Sequence, residues 1–121
     1  MSERQRNEAF GRWAERLAAW ALRLRGYRII ARRFRTPWGE LDLVVRRGRL
    51  LAFVEVKARR QLDQALESLG ARQRQRTVRA AEVFLQHHPR YRDFTLRFDL
   101  IAIAPWRLPR HLRNAWQTGP R

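Results

Sequence analysis

Gly39-Glu40-Leu41-Asp42-Leu43-Val44-Val45-Arg46-Arg47-Gly48-Arg49-Leu50-Leu51-Ala52-Phe53-Val54-Glu55-Val56-Lys57-Ala58 reads as two β-strands and the turn between them. Both halves are rich in Val, Leu and Phe, and Gly48-Arg49 places glycine first, as a two-residue type II′ turn requires. With that turn Arg47 faces Leu50, Asp42 falls opposite Glu55, and Glu40 falls opposite Lys57. Opposed residues share a sheet face with Cβ atoms about 4.5–5.5 Å apart, so the hairpin would gather three carboxylates and one amine on one surface. Leu41, Leu43, Val54 and Val56 would fill the other. A slip of one residue would scatter the set.

Two adjacent carboxylates repel unless a cation or a shared proton relieves them, and an all-oxygen donor set suits Mg2+ or Mn2+. Asp42 and Glu55 are the candidate ligands, and Glu40 is a candidate either to join them or to orient Lys57. Lys57 is the only lysine among 27 Lys and Arg residues. A guanidinium stays protonated, whereas an amine can lose its proton and position or activate a water, so Lys57 is a candidate for chemical work. A structural patch of Glu40–Lys57 and Asp42–arginine salt bridges would use the same residues, and spacing alone does not choose between the two readings.

Outward from the hairpin, an amphipathic helix is expected over about Asn7 to Arg25, with Phe10, Ala14, Leu17, Ala21 and Leu24 on one face and Gly26 as its stop. Trp13 and Trp20 widen that face and are expected to cap the core. A strand is expected over Tyr27 to Phe34, ahead of the hairpin strands Glu40 to Arg46 and Leu50 to Ala58. A second helix should span Ala71 to His87 with Pro89 beyond its end, and a last strand Thr95 to Ala104. The segment Gln61 to Gly70 reads equally as loop or short helix. These elements describe one α/β domain over residues 1–104, a single mixed sheet flanked by helices in the order α-β-β-β-α-β. The basic tail, residues 105–121, is expected to wrap the surface or to be partly disordered. Asp99 beside Arg97 reads as structural, and His87, His88 and His111 as surface residues.

The 121-residue chain has a formal net charge of +16, 45% hydrophobic residues and no cysteine. That composition fits one folded domain and excludes disulfides, thiolate zinc sites and a cysteine nucleophile. No apolar run approaches the length of a membrane span, and none follows the charged Met1-Ser2-Glu3-Arg4 opening, so a soluble cytoplasmic protein without membrane attachment is expected. Such a charge makes a polyanion the default partner, nucleic acid first among them. Arg59 and Arg60 after Lys57, and Arg72, Arg74, Arg76 and Arg79 on the second helix, are the basic residues nearest the hairpin in sequence. Trp38, Trp106 and Trp116 are candidates to stack on unpaired bases.

Gly39-Glu40-Leu41-Asp42-Leu43-Val44 and Phe53-Val54-Glu55-Val56-Lys57-Ala58-Arg59 resemble the YraN family of small bacterial proteins. Gly11-Arg12-Trp13-Ala14-Glu15, Arg25-Gly26-Tyr27, Arg79-Ala80-Ala81-Glu82 and Arg97-Phe98-Asp99 extend the resemblance in order and spacing over roughly residues 7–104. That family is similar in turn to the restriction-endonuclease-like superfamily, marked by an acidic residue on one strand and (D/E)-x-K on the next. The resemblance implies that Asp42 and Glu55 bind metal, that the main-chain carbonyl of Val56 assists, and that Lys57 serves the attacking water. It also implies a place for Glu15, where archaeal Holliday-junction resolvases of this fold add a glutamate from the first helix. Two departures accompany the match: the linker after Lys57 is shorter, and Gln73 stands where the family's second helix usually carries a lysine. The expected activity is metal-dependent phosphodiester hydrolysis on DNA, with a homodimer as a possible assembly; the alternative is a non-catalytic nucleic-acid-binding module that keeps the same fold.

Overall fold

Ser2 opens the first helix by accepting the Gln5 N–H on its hydroxyl while the Gln5 side chain accepts the N–H of Ser2, a capping box one turn ahead of the expected start. The computed structural model describes residues 2–67 and 70–116. Helix α1 (Glu3–Leu24) ends before Gly26, whose φ of 90° only glycine adopts without cost. Three strands follow, β1 (Arg28–Thr36), β2 (Gly39–Arg47) and β3 (Leu50–Ala58), then helices α2 (Leu62–Glu67) and α3 (Ala71–His87), a 3-10 turn at Pro89–Tyr91, and strands β4 (Thr95–Ile103) and β5 (Arg110–Trp116). The fold is α/β, with one five-stranded mixed sheet in the order β1-β2-β3-β4-β5. All neighbours are antiparallel except β3 and β4, which run parallel because α2 and α3 carry the chain back across the sheet.

The sheet divides the core in two. On one face Ala14, Ala18 and Leu22 of α1 pack on Leu43, Val45, Ala52, Val54, Ile101 and Ile103. On the other, Ala80, Ala81 and Phe84 of α3 pack on Leu41, Val44, Leu51, Phe53 and Leu100. The alanines let each helix lie close to the strands, and that approach turns the bulkier residues of α1 outward. Trp13 and Trp20, expected in the core, are 47% and 60% exposed, and Leu24 is 83% exposed. The buried stripe of α1 is therefore rotated from the expected face toward Ala18, Ala19 and Leu22.

The hairpin turn pairs Arg47 with Leu50 and keeps the expected register as far as Leu43–Val54. Beyond that pair the β2–β3 ladder stops. Arg33 adopts φ 50° between the Arg32–Leu43 and Phe34–Leu41 pairs of β1 and β2, a left-handed kink rare for a residue with a Cβ. Side-chain alternation breaks there, so Leu41 joins the α3 core and not the face of Leu43 and Val54 where it was expected.

Arg110–Trp116, within the segment expected as tail, forms the edge strand β5. β5 pairs with β4, and Asp99, fully buried, accepts hydrogen bonds from Arg97 through both carboxylate oxygens, from the backbone N–H of Asn114, and from His111 Nε2 at 2.8 Å. His111 is thus a buried partner of Asp99 and not a surface residue, its side chain only 3% exposed. Burial alone would raise the Asp99 carboxyl, but the hydrogen bonds from His111, Arg97 and Asn114 outweigh it and hold it below its ordinary value. Residues 117–121 lie outside the described structure. Among the described residues no helix is long and apolar enough to cross a membrane.

Candidate functional site

Asp42 lies where the alternation of β2 breaks and the ladder to β3 ends. Its Oδ2 accepts the free N–H of Val56 at 2.8 Å, so a side chain takes the place of a missing backbone partner. Glu55, two residues beyond the core side chain Phe53, is 6% exposed and is met from three directions. Gln73 of α3 donates to its Oε1 at 2.5 Å, Lys57 Nζ stands 3.4 Å from the same oxygen, and Asp42 shares a hydrogen bond with it. Glu55 and Lys57 project together because they are two apart on one strand.

Burial, and then the charge of Glu55, push the Asp42 carboxyl from its ordinary 3.8 up to about 8, against the opposing hydrogen bond from Val56. Burial raises Glu55 as well, although Lys57, Asp42 and Gln73 each pull it back. Two carboxyls that touch in a dry site share a proton at neutral pH. A hard divalent ion would take that proton's place, and the carboxylate oxygens of Asp42 and Glu55 are the donors that fit it. Among the described residues no group of three or more His, Cys, Asp or Glu side chains is placed to hold a metal.

Asp42, Val56 and Lys57 line a cleft of about 540 Å3 whose other walls are Phe10, Gly11, Ala14 and Glu15 of α1, Ala58 at the end of β3, and Arg59, Arg60 and Gln64 beyond it. Glu15 faces the same cleft as Asp42, and its carboxylate is held by both Arg33 Nε at 3.1 Å and Arg33 Nη2 at 2.7 Å. Glu40 departs from expectation. It pairs with Arg35 across β1, its carboxylate 3.3 Å from that guanidinium, and not with Lys57, because the β2–β3 ladder has already ended. The backbone of Val56 enters the site through its N–H to Asp42.

Arg59 and Arg60 stand at the cleft. Arg72, Arg76 and Arg79 stand instead beside the β1–β2 turn, where they line a second groove with Trp38. Arg74 is exposed on α3. Sequence reasoning missed Gln73 as a partner of Glu55 and Arg33 as the partner of Glu15. Gln73 reaches Glu55 only through the packing of α3 on the sheet, which no local signal in the sequence announces.

The model of the Uncharacterised protein family UPF0102 matches residues 14–103, a span that includes every residue of the carboxyl pair, Lys57 and Gln73. A UPF0102 protein of Rhodopseudomonas palustris (strain BisB18) is 57% identical over 107 residues, covering 88% of this chain and 79% of that protein. One from Nitrobacter winogradskyi is 57% identical over 106 residues, covering 88% and 90%. UPF0102 protein mlr4633 of Mesorhizobium japonicum is 48% identical over 115 residues, covering 95% and 92%. The chain belongs to the UPF0102 family, the YraN-like family that its hairpin residues resemble.

Proposed function

We propose that this protein is a metal-dependent phosphodiester hydrolase of the restriction-endonuclease-like kind, acting on DNA with Mg2+ or Mn2+ in the cytoplasm. The observation that carries the reading is the buried Asp42–Glu55 carboxyl pair with Lys57 beside it, Asp42 and Lys57 lining a cleft, in a chain of net charge +16. The acid on β2, the Glu-x-Lys of β3 and helices on both sheet faces fit the superfamily that the sequence resembles. Asp42 and Glu55 would hold the ion, which when bound supplies a Lewis acid for the scissile phosphate and acidifies a coordinated water. Lys57, fixed by Glu55, orients the attacking water and offsets the developing negative charge. Arg59 and Arg60 hold flanking phosphates at the mouth of the cleft.

A second reading, a nucleic-acid-binding module that keeps the fold without cutting, is favoured by Arg33, which occupies both oxygens of Glu15, so that this carboxylate does not join Asp42 and Glu55. The test is a nicking and cleavage assay on supercoiled plasmid, single strands and a four-way junction in Mg2+, Mn2+ or EDTA, comparing wild type, Glu55→Ala and Lys57→Arg. Metal-dependent cutting that falls at least about 100-fold in both variants is the expected result. Full activity in Lys57→Arg refutes the role of the amine, and binding without cutting by wild type favours the module.

A further inference from the structure

The turn between β1 and β2 is shaped by one hydroxyl. Thr36 Oγ1 accepts the N–H groups of Trp38 and Gly39 at 3.1 and 3.2 Å and donates to the Gly39 carbonyl at 2.7 Å. Gly39 sits at φ 144°, and a Cβ built on it would stand 4.0 Å from Arg76 Cβ, so the turn lies directly against α3. The indole of Trp38 is held out from the core, 46% exposed, with the Arg79 guanidinium 4.4 Å from its ring centroid. Thr36, Pro37, Trp38, Arg72, Arg76 and Arg79 border a groove of about 550 Å3. It shares Gly39, Arg72 and Arg76 with a neighbouring cleft of about 420 Å3 that also contains Gln73, the residue whose amide holds Glu55. Arg72, Arg76 and Arg79, spaced by one helical turn, form no ion pair among the described residues.

Resting on the nucleic-acid reading above, we propose that Trp38 and Arg79 form a base-stacking platform, with Arg72 and Arg76 as its phosphate contacts, that receives an unpaired stretch of the substrate along α3, linked to the carboxyl pair through Gln73. An exposed indole already flanked by a guanidinium presents a flat, electron-rich surface that stacks on any base. In a duplex that base face is covered by its neighbours, so the platform selects strands that are single or have been opened. The substrate class is therefore nucleic acid with an unpaired segment, such as a flap, gap or fork. Unpartnered guanidinia one turn apart would follow the sugar-phosphate backbone without reading sequence.

The test measures binding in EDTA by fluorescence anisotropy, so it does not depend on cleavage. Labelled 15-nucleotide dT, 15-nucleotide rU and a mixed 15-base-pair duplex are titrated with wild type, Trp38→Ala, Trp38→Phe, Arg76→Ala and, as a control on α1, Trp20→Ala. Trp38→Ala should weaken single-strand binding roughly tenfold and duplex binding less than about twofold. Trp38→Phe should recover most of the loss, Trp20→Ala should bind as wild type, and Arg76→Ala should lower the salt slope of all three ligands by about 1. The dT and rU arms decide whether the platform serves DNA, RNA or both. Single-strand affinity unchanged in Trp38→Ala, or an equal loss on duplex, overturns the platform while leaving the nuclease reading standing. Absence of binding to all three ligands by wild type overturns both.

Discussion

Replacing Asp42 by asparagine should stabilise the protein at neutral and alkaline pH. The Asp42 carboxyl is raised from 3.8 to about 8 by burial and by Glu55, so between those values the folded state holds a proton that the unfolded state has released. Stability from this group is therefore complete below about pH 4, falls as pH rises, and is lost by about pH 8. At 1.36 kcal/mol per tenfold, the whole interval corresponds to an upper bound of about 6 kcal/mol. The proton is shared with Glu55 and Asp42 lines an open cleft, so about a third to a half of that bound, roughly 2–3 kcal/mol, is the working figure. The carboxamide of the Asp42→Asn variant keeps the acceptor for Val56 N–H, can donate its amide to Glu55, and does not titrate. Urea unfolding of both proteins in metal-free buffer from pH 4 to pH 9 should give curves that coincide at pH 4. The Asp42→Asn variant should then gain about 2 kcal/mol over wild type by pH 8. Parallel curves, or a variant less stable than wild type at pH 8, would show that Asp42 is not a proton-sharing buried group and would refute the argument.

Asp99→Ala should cost about 3–5 kcal/mol, measured by the urea midpoint, because it strips Arg97 and the buried His111 of their common acceptor and unfastens β5. Phe84→Ala should cost about 3–5 kcal/mol in the same assay, since its ring is fully buried, edge-on to Phe34 and Phe53, and stacked on His88 at 4.1 Å. A loss below about 1 kcal/mol in either case would mean that the surrounding layer closes over the gap.

The hairpin was legible because its turn and its alternation are local signals. Gly48 set the register from Arg47–Leu50 to Leu43–Val54, and that register brings Asp42 near Glu55. It stopped being legible at Asp42. The left-handed Arg33 is neither Gly nor Asn, so nothing in its own type announces the kink that redirects Leu41 and releases Glu40 to Arg35. On α1 two apolar stripes of helical period compete, and hydropathy favours the large residues, whereas close approach to a sheet favours Ala14 and Ala18. Glu55–Gln73 and Asp99–His111 join residues on different elements, and only the packed layers bring them together. β5 follows the proline-containing segment that made the end of the chain read as tail, and its pairing depends on the carboxylate of Asp99, which no periodicity reveals.

The parallel joint between β3 and β4 is the sheet contact with the longest connection to close. β1, β2 and β3 can zip through short turns, as can β4 and β5, but the two halves meet only after the crossover from Ala58 to Thr95 has closed, with the loop entropy that closure demands. Gln73 rides on that crossover. The amide of Gln73 reaches Glu55 only where α3 lies against the sheet, so the same crossover that joins the two halves of the sheet also completes the surroundings of the site.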